Sequence, residues 1–142
     1  MIQIGLAPRV FANDVVRFFA THVRAEEHPG ISPEFLCPDG VRAAVQRRQL
    51  LLAIEDDQII GALRFFPKKN GRVSVYQFAV AERYRGNDLL QKMLTEIACQ
   101  GFDALCPASS ALNGYFDHKG WQLTEAGKRG NRWTLDRSAN AL

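Results

Sequence analysis

The sequence predicts an α/β fold: a mixed, mostly antiparallel sheet flanked by helices in a single domain. Three observations carry that prediction. Val73 to Ile97 reads as a strand, a turn holding two arginines and a glycine, and a helix. Three consecutive strand-like runs, 50–55, 58–66 and 73–80, lead into that turn. A last pair of strands, 121–125 and 132–136, closes the chain around 127–131. The resulting order is strand, two helices, three strands, helix, strand, helix, two strands.

Taken in order, residues 2–6 form a short first strand. Asn13-Asp14 starts a helix. Val15, Val16, Phe18, Phe19 and Val23 give it one apolar face, and it runs to about Glu27. His28-Pro29-Gly30 breaks it, and residues 31–38, with Pro33 and Pro38, read as a loop. A second helix is expected at 39–48. Asp56-Asp57 turns one strand into the next. Lys68-Lys69-Asn70-Gly71 is a hairpin signal, because Asn-Gly tolerates the positive φ that tight turns need. Leu89, Leu90, Met93, Leu94, Ile97 and Ala98 recur at helical spacing. Phe102 to Cys106 is a further strand, parallel to 73–80 if the helix between them is a crossover. A short helix falls within 109–119, and the last six residues fray.

Composition narrows the function classes. With 46% hydrophobic and 23% charged residues, the 142-residue chain can bury a core as one domain, 1–142. No apolar run approaches the ~20 residues of a membrane span, and the first residues lack a secretion signal; the expected location is the cytoplasm. Cys37, Cys99 and Cys106 are scattered, without the spacing of a zinc site or a disulfide framework, so no metal is expected. A net charge of +3 suits an anionic ligand but does not argue for nucleic acid. Lys68, Lys69 and Arg72 read as a solvated hairpin tip, and Arg42, Arg47 and Arg48 as a wet helix face. Oligomeric state leaves no mark in the sequence.

The chemistry lies in Arg83-Tyr84-Arg85-Gly86-Asn87-Asp88. The first N–H groups of a helix lack partners within the helix, and its dipole adds positive charge there. A glycine lets a phosphate approach the backbone, and Arg83 and Arg85 add forked donors. Asp88, read as part of the helix's first turn, favours the helix through the dipole and opposes an anion. On that reading alanine is the substitution that tests it, since glycine would add a helix penalty of about 1 kcal/mol.

This run resembles motif A of the GCN5-related N-acetyltransferases, Arg/Gln-x-x-Gly-x-Gly/Ala. Arg83 and Gly86 match, and Asp88 stands where Gly or Ala is usual. Tyr115-Phe116-Asp117-His118-Lys119-Gly120-Trp121 is similar to the family's Phe-Tyr-x-x-x-Gly-Phe segment. The blocks are more specific together, in this order, than either alone. The resemblance covers about 50–135 as a core and makes 13–48 the variable helical lobe that shapes the acceptor pocket.

The resemblance implies an N-acetyltransferase that moves an acetyl group from acetyl-CoA to an amine of a small molecule or a protein. Acetyl-CoA would lie between splayed strands 73–80 and 102–106. Its pantetheine would pair with the backbone of Phe78, Ala79 and Val80, a backbone N–H near Val80 polarising the thioester. Its phosphates would sit at Arg83, Arg85, Gly86, Asn87 and Asp88. Aligning on Gly120 puts Phe116, which has no proton to give, at the family's acid position, and makes Tyr115 the catalytic candidate. The strand 73–80 carries Ser74, Tyr76 and Gln77 where many relatives have a glutamate base, and Glu82 lies just past its end. His22 and His28, with Glu26 and Glu27, fall in the acceptor lobe and have chemistry suited to a base; His118 belongs on an outer helix face. The missing glutamate and Phe116 also fit a non-catalytic CoA-binding module that regulates a partner protein.

Overall fold

The computed structural model describes residues 1–22, 37–128 and 130–137. Seven strands form one sheet: β1 (Gln3–Leu6), β2 (Leu50–Glu55), β3 (Gln58–Pro67), β4 (Val73–Val80), β5 (Gly101–Cys106), β6 (Gln122–Gly127) and β7 (Gly130–Asp136). Their order in the sheet is β1-β2-β3-β4-β5-β7-β6. The helices among the described residues are α1 (Ala12–His22), α2 (Pro38–Gln46), α3 (Leu89–Thr95) and α4 (Leu112–His118). The α/β class and the predicted order of elements both hold. No helix among the described residues is long and apolar enough to cross a membrane. The described residues divide into two compact units, one of 1–22, 37–65 and 77–98, the other of 66–76, 99–128 and 130–137.

In the first unit, the β2–β3 hairpin turns at Asp56 and Asp57, both at positive φ (53° and 63°), a conformation that aspartate tolerates better than most residues. β2 is buried on both faces, which is why its sequence is a continuous apolar run instead of an alternation. Leu50 and Leu52 join the core of α1 and α2, packing with Val15, Phe18, Phe19, Val41, Ala44 and Val45. Burying a side chain such as Phe19 contributes about 1.5–3 kcal/mol. Ala53 belongs to a second layer. There a Cβ on Gly61 would meet Leu89 at 2.9 Å and Met93 at 3.2 Å, so this glycine lets α3 lie close to the sheet.

Several boundaries differ from the sequence reading. Pro38 opens α2, where a proline's missing N–H costs nothing, instead of closing a loop. α2 stops at Gln46, before Arg47 and Arg48. Ala98 is exposed and lies beyond α3, although Ile97 is buried. Residues 23–36, expected to hold the end of α1, a loop, Glu26, Glu27 and His28, lie outside the described residues, as do residues 138–142.

In the second unit, β4 and β5 pair in parallel through Val73–Phe102, Ser74–Asp103 and Val75–Ala104. The final hairpin is longer than predicted, with β6 reaching Gly127 and β7 starting at Gly130. Phe116 is buried at its core, 4.8 Å from Trp121 and 6.1 Å from Trp133 between ring centroids. The Lys68–Arg72 hairpin is not a solvated tip. Lys68 Nζ and Arg72 donate to the buried carboxylate of Asp103, and Arg72 Nη1 reaches Asp136 at 2.6 Å. Lys69 is exposed, as expected.

Candidate active site

β4 ends at Val80, a single 3₁₀ turn spans Glu82–Tyr84, and α3 begins at Leu89. Two residues in the intervening loop need positive φ, Gly86 at 85° and Asp88 at 57°. Asp88 therefore sits just before the helix and not in its first turn, and its carbonyl accepts the Lys92 N–H at 3.1 Å. That backbone conformation favours a residue without a Cβ, which gives a physical reason for glycine at this point of the motif.

Around this loop is a cleft of about 470 Å³, lined by Ile2, Tyr84, Gly86, Asn87, Asp88, Leu89 and Lys92. A Cβ built on Gly86 meets no atom within 4 Å, so the space beside its backbone is open to an anion. Lys92 supplies a cation at the wall that the motif does not name. Its signal in the sequence is its position one helical turn after Asp88.

The two arginines are held by other groups. Arg83 lies over the Tyr84 ring at 4.9 Å and donates to the Tyr84 hydroxyl at 3.2 Å, while that hydroxyl donates to Glu55 at 2.6 Å. The bond to Glu55, with some desolvation, raises the Tyr84 pKa. Arg83 lines a neighbouring cleft of about 480 Å³ with His22, Gln58, Ile59, Ile60, Ala81 and Glu82. Arg85 turns back onto the protein. Its Nε donates to the carbonyl of Val80 at 3.2 Å and its Nη2 to the carbonyl of His22 at 3.0 Å.

Of the remaining expected site residues, Phe78 and Val80 are half-buried and Ala79 is part of the core. Gln77, on the strand where many relatives have a glutamate base, is buried on the same side of β4 as Val75 and Ala79. Tyr115 is half-buried on α4, its ring edge-on to Phe116 at 5.8 Å. His118 is exposed. No group of His, Cys, Asp or Glu among the described residues could hold a metal.

Asn113 escaped the sequence reading. Its Oδ1 accepts from Cys106 Sγ, Asn131 Nδ2 and Trp133 Nε1 at 3.1, 2.9 and 2.8 Å, and its amide nitrogen donates to the carbonyls of Pro107, Ala108 and Ser110. It ties the start of α4 to β5 and β7. Burial pushes the Cys106 thiol pKa up, so it stays neutral.

Residues 16–111 match the model of the acetyltransferase (GNAT) family. The chain belongs to that family, whose enzymes take their acyl group from acetyl-CoA. No curated protein sequence matches it. Among solved structures, it resembles the PaiA N-acetyltransferase from Thermoplasma acidophilum in complex with coenzyme A (TM-score 0.80, 11% identity, 96% of this chain and 99% of that one). It also resembles the Drosophila melanogaster polyamine N-acetyltransferase, which forms N-acetylagmatine (TM-score 0.72, 14% identity, 96% and 100%). A third is the diaminobutyrate acetyltransferase EctA from Paenibacillus lautus in complex with L-2,4-diaminobutyric acid and coenzyme A (TM-score 0.67, 14% identity, 96% and 95%). At these identities the likeness is one of fold.

Proposed function

We propose that the protein transfers the acetyl group of acetyl-CoA to the amine of a small molecule, in the cytoplasm. The observation that carries this reading is the open space beside Gly86, at positive φ, in a cleft with a lysine on its wall and a helix N-terminus behind it. In this reading the backbone at Gly86–Asp88 receives the pyrophosphate, with Lys92 supplying charge and Arg83 adding to the local positive field. Arg85 acts by fixing the loop. The backbone of Phe78–Val80 pairs with the pantetheine. The small-molecule acceptor draws support from fold neighbours that act on diaminobutyrate and form N-acetylagmatine. The leaving thiolate takes up a proton given up by the acceptor nitrogen. Gly86→Glu places bulk and negative charge in the cleft; calorimetry should show loss of CoA binding in a variant that still folds, and unchanged affinity would refute the site.

A second reading, a CoA-binding module without turnover, is favoured by one observation. Phe116, at the family's acid position, is a buried core residue 2% exposed. Such a protein would bind acetyl-CoA and acetylate no amine.

A further inference from the structure

His22 is the last described residue of α1, and both its backbone and its ring are held in place. Its backbone is pinned by Arg85, which donates to the His22 carbonyl at 3.0 Å. The same guanidinium holds the Val80 carbonyl, so α1 is tied at His22 to the end of β4. Its ring packs on Phe18, 4.4 Å between centroids, which limits its rotation.

Two clefts meet at this ring. One, of about 430 Å³, runs along α1 past Asp14, Thr21 and Asp57; the other, of about 480 Å³, runs to Ala81, Glu82 and Arg83. They share His22, Gln58 and Ile59, and His22 is the one shared residue that can exchange a proton near neutrality.

We propose that the imidazole of His22 is the base that takes the proton from the acceptor amine. This rests on the transferase reading above. The acceptor's ammonium gives one proton to the free imidazole nitrogen. The amine lone pair then forms the C–N bond to the thioester carbonyl carbon as the C–S bond breaks. The thiolate departs with its electron pair and takes up the second proton of the nitrogen, and the imidazolium returns the first to solvent.

The charged surroundings suit that role. Burial lowers the pKa of His22 and the Arg85 charge lowers it further, while Glu82 partly opposes them. The ring is therefore neutral at pH 7, with a lone pair to offer. In the shared clefts Asp14 is neutralised by Arg17, whereas Asp57 and Glu82 put carboxylates at the two ends of the groove, and Arg83 lines the second cleft.

The test is acetyl transfer from acetyl-CoA to agmatine and to 2,4-diaminobutyrate by the full-length protein, as kcat/KM against pH. In the wild type the rate should rise with pH through an apparent pKa below the ordinary imidazole value. His22→Gln should lower kcat/KM about a hundredfold or more at neutral pH. Its residual rate should follow the amine's own ionisation, with CoA affinity and melting temperature unchanged. In His22→Ala, added imidazole should restore rate. An unchanged rate and pH profile in His22→Gln would overturn the proposal. So would a rate loss matched by lost CoA affinity and not rescued by imidazole. A wild type that acetylates neither amine would remove the transferase reading on which the proposal stands.

Discussion

Arg85 donates to the backbone carbonyl of His22 at 3.0 Å, joining the loop after β4 to α1. Arg85, expected from its place beside Gly86 to bind phosphate, is thus engaged first as a brace.

Removing this brace should cost stability as well as activity. Hydrogen bonds from charged groups contribute about 1.5–3 kcal/mol, so Arg85→Met should lose on the order of 2 kcal/mol in urea unfolding. It should also raise KM for the amine more than for acetyl-CoA. Arg85→Lys, which cannot span both carbonyls with a fork, should fall between. A loss confined to acetyl-CoA affinity, at full stability, would return Arg85 to the role of a phosphate ligand.

Asp88 needs glycine, not alanine, as its probe. Its φ of 57° makes a Cβ unfavourable; Ala, lacking the short polar side chain that eases this region for aspartate, should lose about 1 kcal/mol. Asp88→Gly should melt at or above the wild-type temperature. Both variants remove a negative charge from the cleft that holds Lys92 and should bind CoA several-fold more tightly at low salt, the gain shrinking as salt rises. Calorimetry across salt concentrations checks this. Weaker binding would mean that the carboxylate organises the loop.

Asp103 predicts a pH dependence. Burial pushes its carboxyl pKa up, but hydrogen bonds and charge from Arg72 and Lys68 more than offset this and hold it below its ordinary value. A carboxylate with a lowered folded pKa stabilises the protein above its unfolded pKa, about 4, and that stability is lost as pH falls through the folded value. The pair partners are partly exposed, so Asp103→Asn should cost about 2 kcal/mol near pH 7, between surface and buried ion pairs. The gap to wild type should close in acid. A gap independent of pH would assign the loss to packing.

Tyr115→Phe should retain most activity, because Phe116 and not Tyr115 aligns with the family's acid position. A hundredfold loss, the scale of general acid catalysis, would make Tyr115 the proton donor.

The parts of this fold set by local chemistry were legible in the sequence. Asp56-Asp57 and Gly71 mark their turns because few residues accept the positive φ those turns need, and the apolar run of β2 announces a strand covered on both faces. The Arg-x-x-Gly loop was legible for the same reason. What could not be read depends on partners distant in the chain. Lys68 and Arg72 look like solvent-facing charges until the fold brings Asp103 to them, 35 and 31 residues on. Arg85 looks like an anion ligand until the fold brings the His22 carbonyl beside it. The strained φ of Asp88 comes from where α3 starts, which Gly61 helps to set by admitting Leu89 and Met93 close to the sheet.

The most direct test of the account is an amine-dependent acetylation assay on the purified full-length chain, reading CoA release and the mass of the product together. With acetyl-CoA and a small amine such as agmatine, the wild type should yield CoA and an N-acetylated amine, and Gly86→Glu should abolish both signals while remaining folded. Retention of acetyl-CoA by the wild type, with no acetylated product from any amine offered, would contradict this and leave a CoA-binding module.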